Sequence, residues 1–334
     1  MGGTTTVAGS AGKPSRQQRE RGSMSGIDRT AVEIPHHSPE AILAHPRFAL
    51  ARTAYVEAIL GLYEYDPFMN RLLIEAGRSV IFFNILCLHA AYDESDRATW
   101  PTLQLLQRSV REFGVSSPRR VHDIVARFIE TGYVRSDVAP SDRRAHILAP
   151  TDKMLAHDLA WLEAFYRPLE VMFPDPGYGL PMRRDPAYRR AHRKVGTLMF
   201  SYAARLMAAN PGVMLFMGRE AGMMILIKLV QRAGEARGGV ARRFSFADIA
   251  DRFGISRTHV RTTLQDAEAE GLVQMSDRSV ALTPPLVSAF DRFVADIMAG
   301  HDLMFRTAMR DLEGNLDGSG AVPGAHVQRQ QRSG

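Results

Sequence analysis

The sequence predicts a mainly α-helical chain that carries one small unit twice: helix, glycine turn, helix, β-hairpin. The clearest copy is Arg243–Leu282, where two short apolar-periodic runs are broken at Gly254 and closed at Gly271 before two short alternating segments. An earlier stretch repeats it. Phe113-Gly114-Val115-Ser116 matches Phe253-Gly254-Ile255-Ser256 at an offset of 140 residues, and Gly132-Tyr133-Val134 matches Gly271-Leu272-Val273 at 139. The match reaches upstream, pairing Glu75-Ala76-Gly77 with Glu220-Ala221-Gly222 and Asp66-Pro67 with Asn210-Pro211. Ordered glycines, turn plugs and Asx-Pro breaks at one spacing mark an internal repeat.

Taken in order, residues 1–40 are rich in Gly, Ser, Thr, Arg and Gln without periodicity and read as a disordered tail. Phe48, Ala51, Tyr55, Ile59 and Leu62 then fall at helical spacing, and Asp66-Pro67 interrupts them. A second helical run, Phe68–Tyr92, carries Leu72, Leu73, Ala76, Val80, Phe83, Ile85 and Leu88 before the polar turn Asp93–Thr99. Leu103–Phe113 is a helix ending at Gly114, with Val115 plugging the turn. Ser117 caps the next helix and Pro118 takes its first position, where a missing N–H costs nothing. Val121, Val125, Phe128 and Ile129 make its buried face. Gly132 ends it, Tyr133-Val134 begins a strand, Ala139–Asp142 turns, and Arg143–Leu148 returns. Thr151 caps a long amphipathic helix through Tyr166.

The Pro/Gly-rich FPDPGYGLP stretch lies in a linker placed at 170–187. Asp185-Pro186 opens the helix that leads the second copy. Ser245 and Ser256 cap the two helices of that copy, and Val260, Leu264 and Ala267 share an inward face. Leu272–Met275 and Ser279–Leu282 form a short hairpin around Ser276-Asp277-Arg278. The Gly-rich tail, 313–334, reads as disordered. The expected domains are therefore 41–169 and 188–312.

Composition narrows the function. A chain of 334 residues with 45% hydrophobic residues has room for two cores. Its net charge of +6 is a weak sign of nucleic acid, since Lys13, Arg16, Arg19, Arg21, Arg329 and Arg332 carry much of it in the two tails. The single Cys87 permits no intramolecular disulfide and fits a reducing cytoplasm. The N-terminus has no apolar core of a signal peptide, and the longest apolar runs, Val80–Cys87 and Met223–Ile227, are too short to span a bilayer. No membrane partner is expected. Neither a Gly-rich phosphate loop, a His-Glu-x-x-His pair nor a nucleophile elbow is present, so neither an enzyme, a cofactor nor a metal is expected. Cys87 and His89 read as core, and Met199, Met207, Met214, Met217, Met223 and Met224 as packing, with an adaptable ligand pocket as the alternative.

Helix, glycine turn, helix and hairpin in this order is the plan of a winged helix-turn-helix domain. The first hairpin, Asp142-Arg143-Arg144-Ala145-His146-Ile147-Leu148-Ala149-Pro150-Thr151, resembles the wing of the MarR-type transcriptional regulators. Asp142 and Arg144 match the family's D-x-R, and Thr151 its threonine; Pro150 and Met154 depart from the family's leucine and glycine. The resemblance implies that Arg144 reaches the minor groove and that Asp142 steadies it. It also implies a mainly α fold of two tandem winged helix-turn-helix domains, joined by their flanking helices into a pseudo-dimer within one chain. The second wing keeps only Arg278 at its tip.

Subtracting the core residues leaves an outward set on each second helix. In the first copy it is Arg119, Arg120, His122, Asp123 and Arg127, with Arg143 and Arg144 on the wing. In the second it is Arg257, Thr258, Arg261, Thr262 and Gln265. Arg pairs bidentately with guanine and Gln with adenine, while Thr suits phosphates or a thymine methyl. The basic run Arg183–Lys194 reads equally as a phosphate contact or as the exposed side of a helix. The expected function is a sequence-specific regulator of transcription on double-stranded DNA, with a small-molecule effector implied by the resemblance. The alternative is a winged-helix scaffold that binds proteins. A monomeric pseudo-dimer and a homodimer both remain open.

Overall fold

The computed structural model describes residues 34–63, 73, 75–111, 113–114, 116–200, 203, 209–237, 245–276 and 279–318. Residues 1–33 of the tail expected over 1–40, the Asp66-Pro67 break, the Val115 plug, and Asp277 and Arg278 of the second wing lie outside the described residues. The architecture is mainly α-helical with two small antiparallel hairpins.

The first half opens with α1 (Pro39–Ala44), whose first turn is capped by the Ser38 hydroxyl accepting from the Ala41 N–H. Pro39 and Glu40, assigned to the tail from sequence, are therefore helical. Then come α2 (Phe48–Tyr63), α3 (Ala76–Ala90), α4 (Leu103–Arg111) and α5 (Pro118–Glu130). Strand β1 (Val134–Ala139) pairs with β2 (Asp142–Pro150), from Val134 opposite Pro150 to Ala139 opposite Asp142. Helix α6 (Asp152–Met172) follows. It runs past the expected end at Tyr166 because Leu169 and Met172 are buried, and this packing outweighs the N–H missing at Pro168.

The segment read as a linker holds α7 (Gly179–Met182) and the buried Tyr178, whose hydroxyl donates to Asp302 Oδ1 at 2.9 Å. The second half comprises α8 (Pro186–Gly196), α9 (Pro211–Met217), α10 (Gly222–Arg237), α11 (Phe246–Phe253) and α12 (Arg257–Ala269). Strands β3 (Val273–Met275) and β4 (Val280–Leu282) precede α13 (Pro284–Gly318). At 35 residues α13 extends into the stretch read as a disordered tail; residues 319–334 lie outside the described residues.

The two copies agree in detail. Gly114 and Gly254 have φ of +65° and +66°, the left-handed backbone that lets the chain turn sharply between two helices. Ser117 and Ser256 cap α5 and α12 through their hydroxyls. Thr151 Oγ1 donates to the carbonyls of Gly132 and Tyr133, and Thr283 Oγ1 to those of Gly271 and Leu272. Each threonine thus ties the strand entering a hairpin to the helix leaving it. One expected core residue fails: Ile129 is 40% exposed, because Phe128 takes the inward position at that turn.

The halves interlock. Helix α2 packs along α6, α8 packs on both α3 and α13, and α13 also covers α1, α2 and α6. One continuous apolar core runs from Ile42 to Ala308 and draws on both copies. A second, small cluster of Trp100, Ala139 and Ile147 packs on the turn half of the first hairpin. Among the described residues no helix is long and apolar enough to cross a membrane.

Candidate nucleic-acid interface

Helix α5 owes its position to its buried stripe. Val121, Val125 and Phe128 fall at i, i+4 and i+7 and lock it to the core, so the opposite face is set outward. Arg119, Arg120, His122, Asp123 and Arg127 are all exposed, as subtraction predicts. In α12 the inward residues are Val260, Leu264, Ala267 and also Thr263, and Arg257, Thr258, Arg261, Thr262 and Gln265 are exposed. Counting from the caps Ser117 and Ser256, the two helices expose the same positions with different side chains. Arg119 stands where Thr258 does, His122 where Arg261 does, and Asp123 where Thr262 does.

Exposure alone does not make these groups equivalent. Arg120 is 49% exposed, but its guanidinium pairs with Glu75 at the start of α3. The second copy has the same tie in another chemistry: His259, three residues after its cap, places Nε2 2.7 Å from the Glu220 carbonyl oxygen. Arg120 is therefore a strut between α5 and α3. Arg127 pairs with Glu130 at 2.8 Å in the last turn of α5, and His122 Nδ1 lies 3.2 Å from Asp123. Arg261 lies over the Phe246 ring, 5.4 Å from its centre, and is held against α11. Among the described residues Arg119, Arg143, Arg144 and Arg257 hold no ion pair. Arg278 lies outside the described residues.

The first wing is built to keep its shape. Asp142 Oδ1 accepts the Arg144 N–H at 3.0 Å, and Oδ2 accepts from Arg97 at 2.8 Å. The Arg144 N–H, and then the Arg97 guanidinium, hold the Asp142 carboxyl below the usual carboxylate range. The aspartate thus steadies the backbone of Arg144 and leaves its side chain free. Sequence reading passed over Arg97, since Asp93–Thr99 showed only a polar turn. In the fold Arg97 lies over the Trp100 ring, 5.3 Å from its centre, and brings an exposed cation to the wing. The second wing is three residues a side and has no such brace among the described residues.

The basic run Arg183–Lys194 is only partly exposed. Arg189, His192 and Arg193 are buried, and Arg193 donates Nε to Asp158 Oδ1 at 2.9 Å across the junction of α8 and α6. Arg189 lies 3.6 Å from the other oxygen of Asp158. Lys194 pairs with Asp311 at 2.9 Å, and Arg184 donates to Glu163 at 2.8 Å. Four charges of this run, Arg184, Arg189, Arg193 and Lys194, are ties within the protein, while Arg183 and Arg190 are exposed. Cys87 is buried, as expected of a core residue.

Comparison with known protein families, with curated proteins and with solved structures finds no match.

Proposed function

We propose that the chain is a sequence-specific DNA-binding regulator of transcription, built as two winged helix-turn-helix units that stand to one another like the halves of a dimer. One observation carries the reading. Two helices, each after a glycine turn and each fixed by a buried stripe, expose polar residues at matching positions in their first turns, with unpaired arginines among them. The first turns of such a helix are what enters the major groove, and a hairpin tip carrying Arg143 and Arg144 suits the backbone or the minor groove beside it.

The test is an electrophoretic shift with duplex DNA over a salt series, followed by selection of sites from a random library. Binding that falls steeply with salt supports phosphate neutralisation. Absence of binding at low salt removes the reading and leaves the protein-binding scaffold.

A further inference from the structure

A cavity of about 350 Å³, open on one side, lies where the two halves meet. Helices of both copies wall it: Tyr63 and Phe83 from the first half, Met223 and Met304 from the second, with Trp161 and Phe165 stacked along α6. The wall is overwhelmingly apolar, and its size falls in the range of small-molecule sites. Four of the methionines read from sequence as packing, Met199, Met217, Met223 and Met224, line it.

Among the described residues, three polar side chains on this wall hold an unpartnered buried atom: Asn84, His192 and Trp161, the last through its indole Nε1. Asn84 is 2% exposed; its amide nitrogen donates to the Val80 carbonyl at 2.8 Å, while its Oδ1 has no partner in the protein. His192 is 0% exposed, and neither ring nitrogen has a partner. Buried polar atoms of this kind are costly to leave unpaired and are normally satisfied. The charged groups of the wall are already engaged: Arg193 with Asp158, and Asp296 with Arg292 at 2.7 Å and Asn210 at 3.1 Å. His301 Nδ1 donates to the Ile297 carbonyl, 2.9 Å away.

We propose that this cavity binds one uncharged, largely aromatic small molecule carrying a hydroxyl or a comparable donor–acceptor group, which bonds to Asn84 and His192. Asn84 Oδ1 requires a donor. Burial disfavours the charged form of His192, so the neutral ring both donates and accepts. Aromatic walls and soft methionine thioethers fit a flat, polarisable body. A charged ligand is disfavoured, because among the described residues no free counter-charge faces the cavity. The two halves contribute different residues to one shared space, so the stoichiometry is one molecule per chain. The site stands on the cavity alone and does not depend on whether the chain binds DNA.

The experiment uses three probes of one shape on the full chain: 1-naphthol, naphthalene and 1-naphthoate. Trp161 is the fluorophore on the cavity wall, and the only other tryptophan, Trp100, packs on the turn half of the first hairpin. Quenching in wild type and in W100F locates the probe, and titration calorimetry gives affinity and stoichiometry independently of fluorescence. We expect 1-naphthol to bind once per chain, about tenfold tighter than naphthalene, with 1-naphthoate weakest. His192→Phe and Asn84→Leu each should reduce the preference for naphthol while leaving naphthalene binding intact. Equal affinity for naphthol and naphthalene, tighter binding of the naphthoate, or no binding in calorimetry overturns the proposal. So does a preference unchanged in both variants once circular dichroism shows them folded; if neither folds, the wild-type ranking decides.

Discussion

Arg119 and Arg120 are neighbours on an exposed helix, yet only one of them is available to a partner. Arg120 is held by Glu75, whereas Arg119 has no ion pair among the described residues. In a duplex-binding assay Arg119→Ala should therefore lower affinity more than Arg120→Ala, by about 1–3 kcal/mol if Arg119 reads a base. Equal losses would mean that the Glu75 pair opens on binding. Arg144→Ala should weaken binding to all sequences alike and reduce the salt slope by about 1, with the fold unchanged, because only its backbone is used by Asp142. The buried Asp158 is a different case. Asp158→Asn leaves the Arg193 charge buried without its counter-charge, and chemical denaturation should show a loss of about 3–5 kcal/mol.

Buried histidines set the pH response at the same scale. Burial lowers the His301 pKa from 6.5 to about 4, and burial also lowers that of His192. The unfolded chain therefore takes up protons that the folded chain refuses as pH falls below 6.5. Stability is fully present above that value and is lost toward pH 4. For His301 alone the loss should approach about 3 kcal/mol near pH 4, and His301→Phe should flatten that part of the denaturation profile.

At the scale of the element, each copy is closed by the same two devices, a left-handed glycine and a bridging threonine. Gly254→Ala puts a Cβ on a backbone at φ +66°, where Cβ meets the following carbonyl, and should cost about 1–2 kcal/mol by thermal or chemical melting. Nothing else lies within 4 Å of that Cβ, so the strain is purely backbone. Helix caps, glycine turns, the apolar stripes of α5 and α12, and the place of both hairpins are legible in the sequence, because each rests on contacts a few residues apart. The end of α6, the true extent of α13 and the exposure of Ile129 are not legible. They depend on which distant surface covers a given face, and that information is not local.

At the scale of the whole molecule, if the chain binds DNA as proposed, the matched but chemically different faces of α5 and α12 should select an asymmetric site. Symmetric operators come from identical subunits across a two-fold axis. Here Arg119, His122 and Asp123 stand opposite Thr258, Arg261 and Thr262 in the repeat. Selection from a random library should return two unlike half-sites. A clean inverted repeat, lost through mutation of only one of the two helices, would show instead that two chains pair and one copy per chain reads DNA.

The sequence by itself determined the repeat, the order of elements in each copy, and the outward sets on α5, α12 and the first wing. These follow from periodicity, caps and glycines, which act within a turn or two of the chain. Only the tertiary structure decided which charges were free. Arg189 and Arg193 look like part of a basic stripe beside Arg190 and Lys194, but α6 supplies Asp158 from more than thirty residues away and takes them into the core. Arg97 gained its place at the wing in the same way, through Asp142 forty-five residues on. The central cavity, too, exists only where two halves far apart in sequence close on one another. A charge or a cavity wall is defined by its partners across space, and spacing along the chain does not encode them.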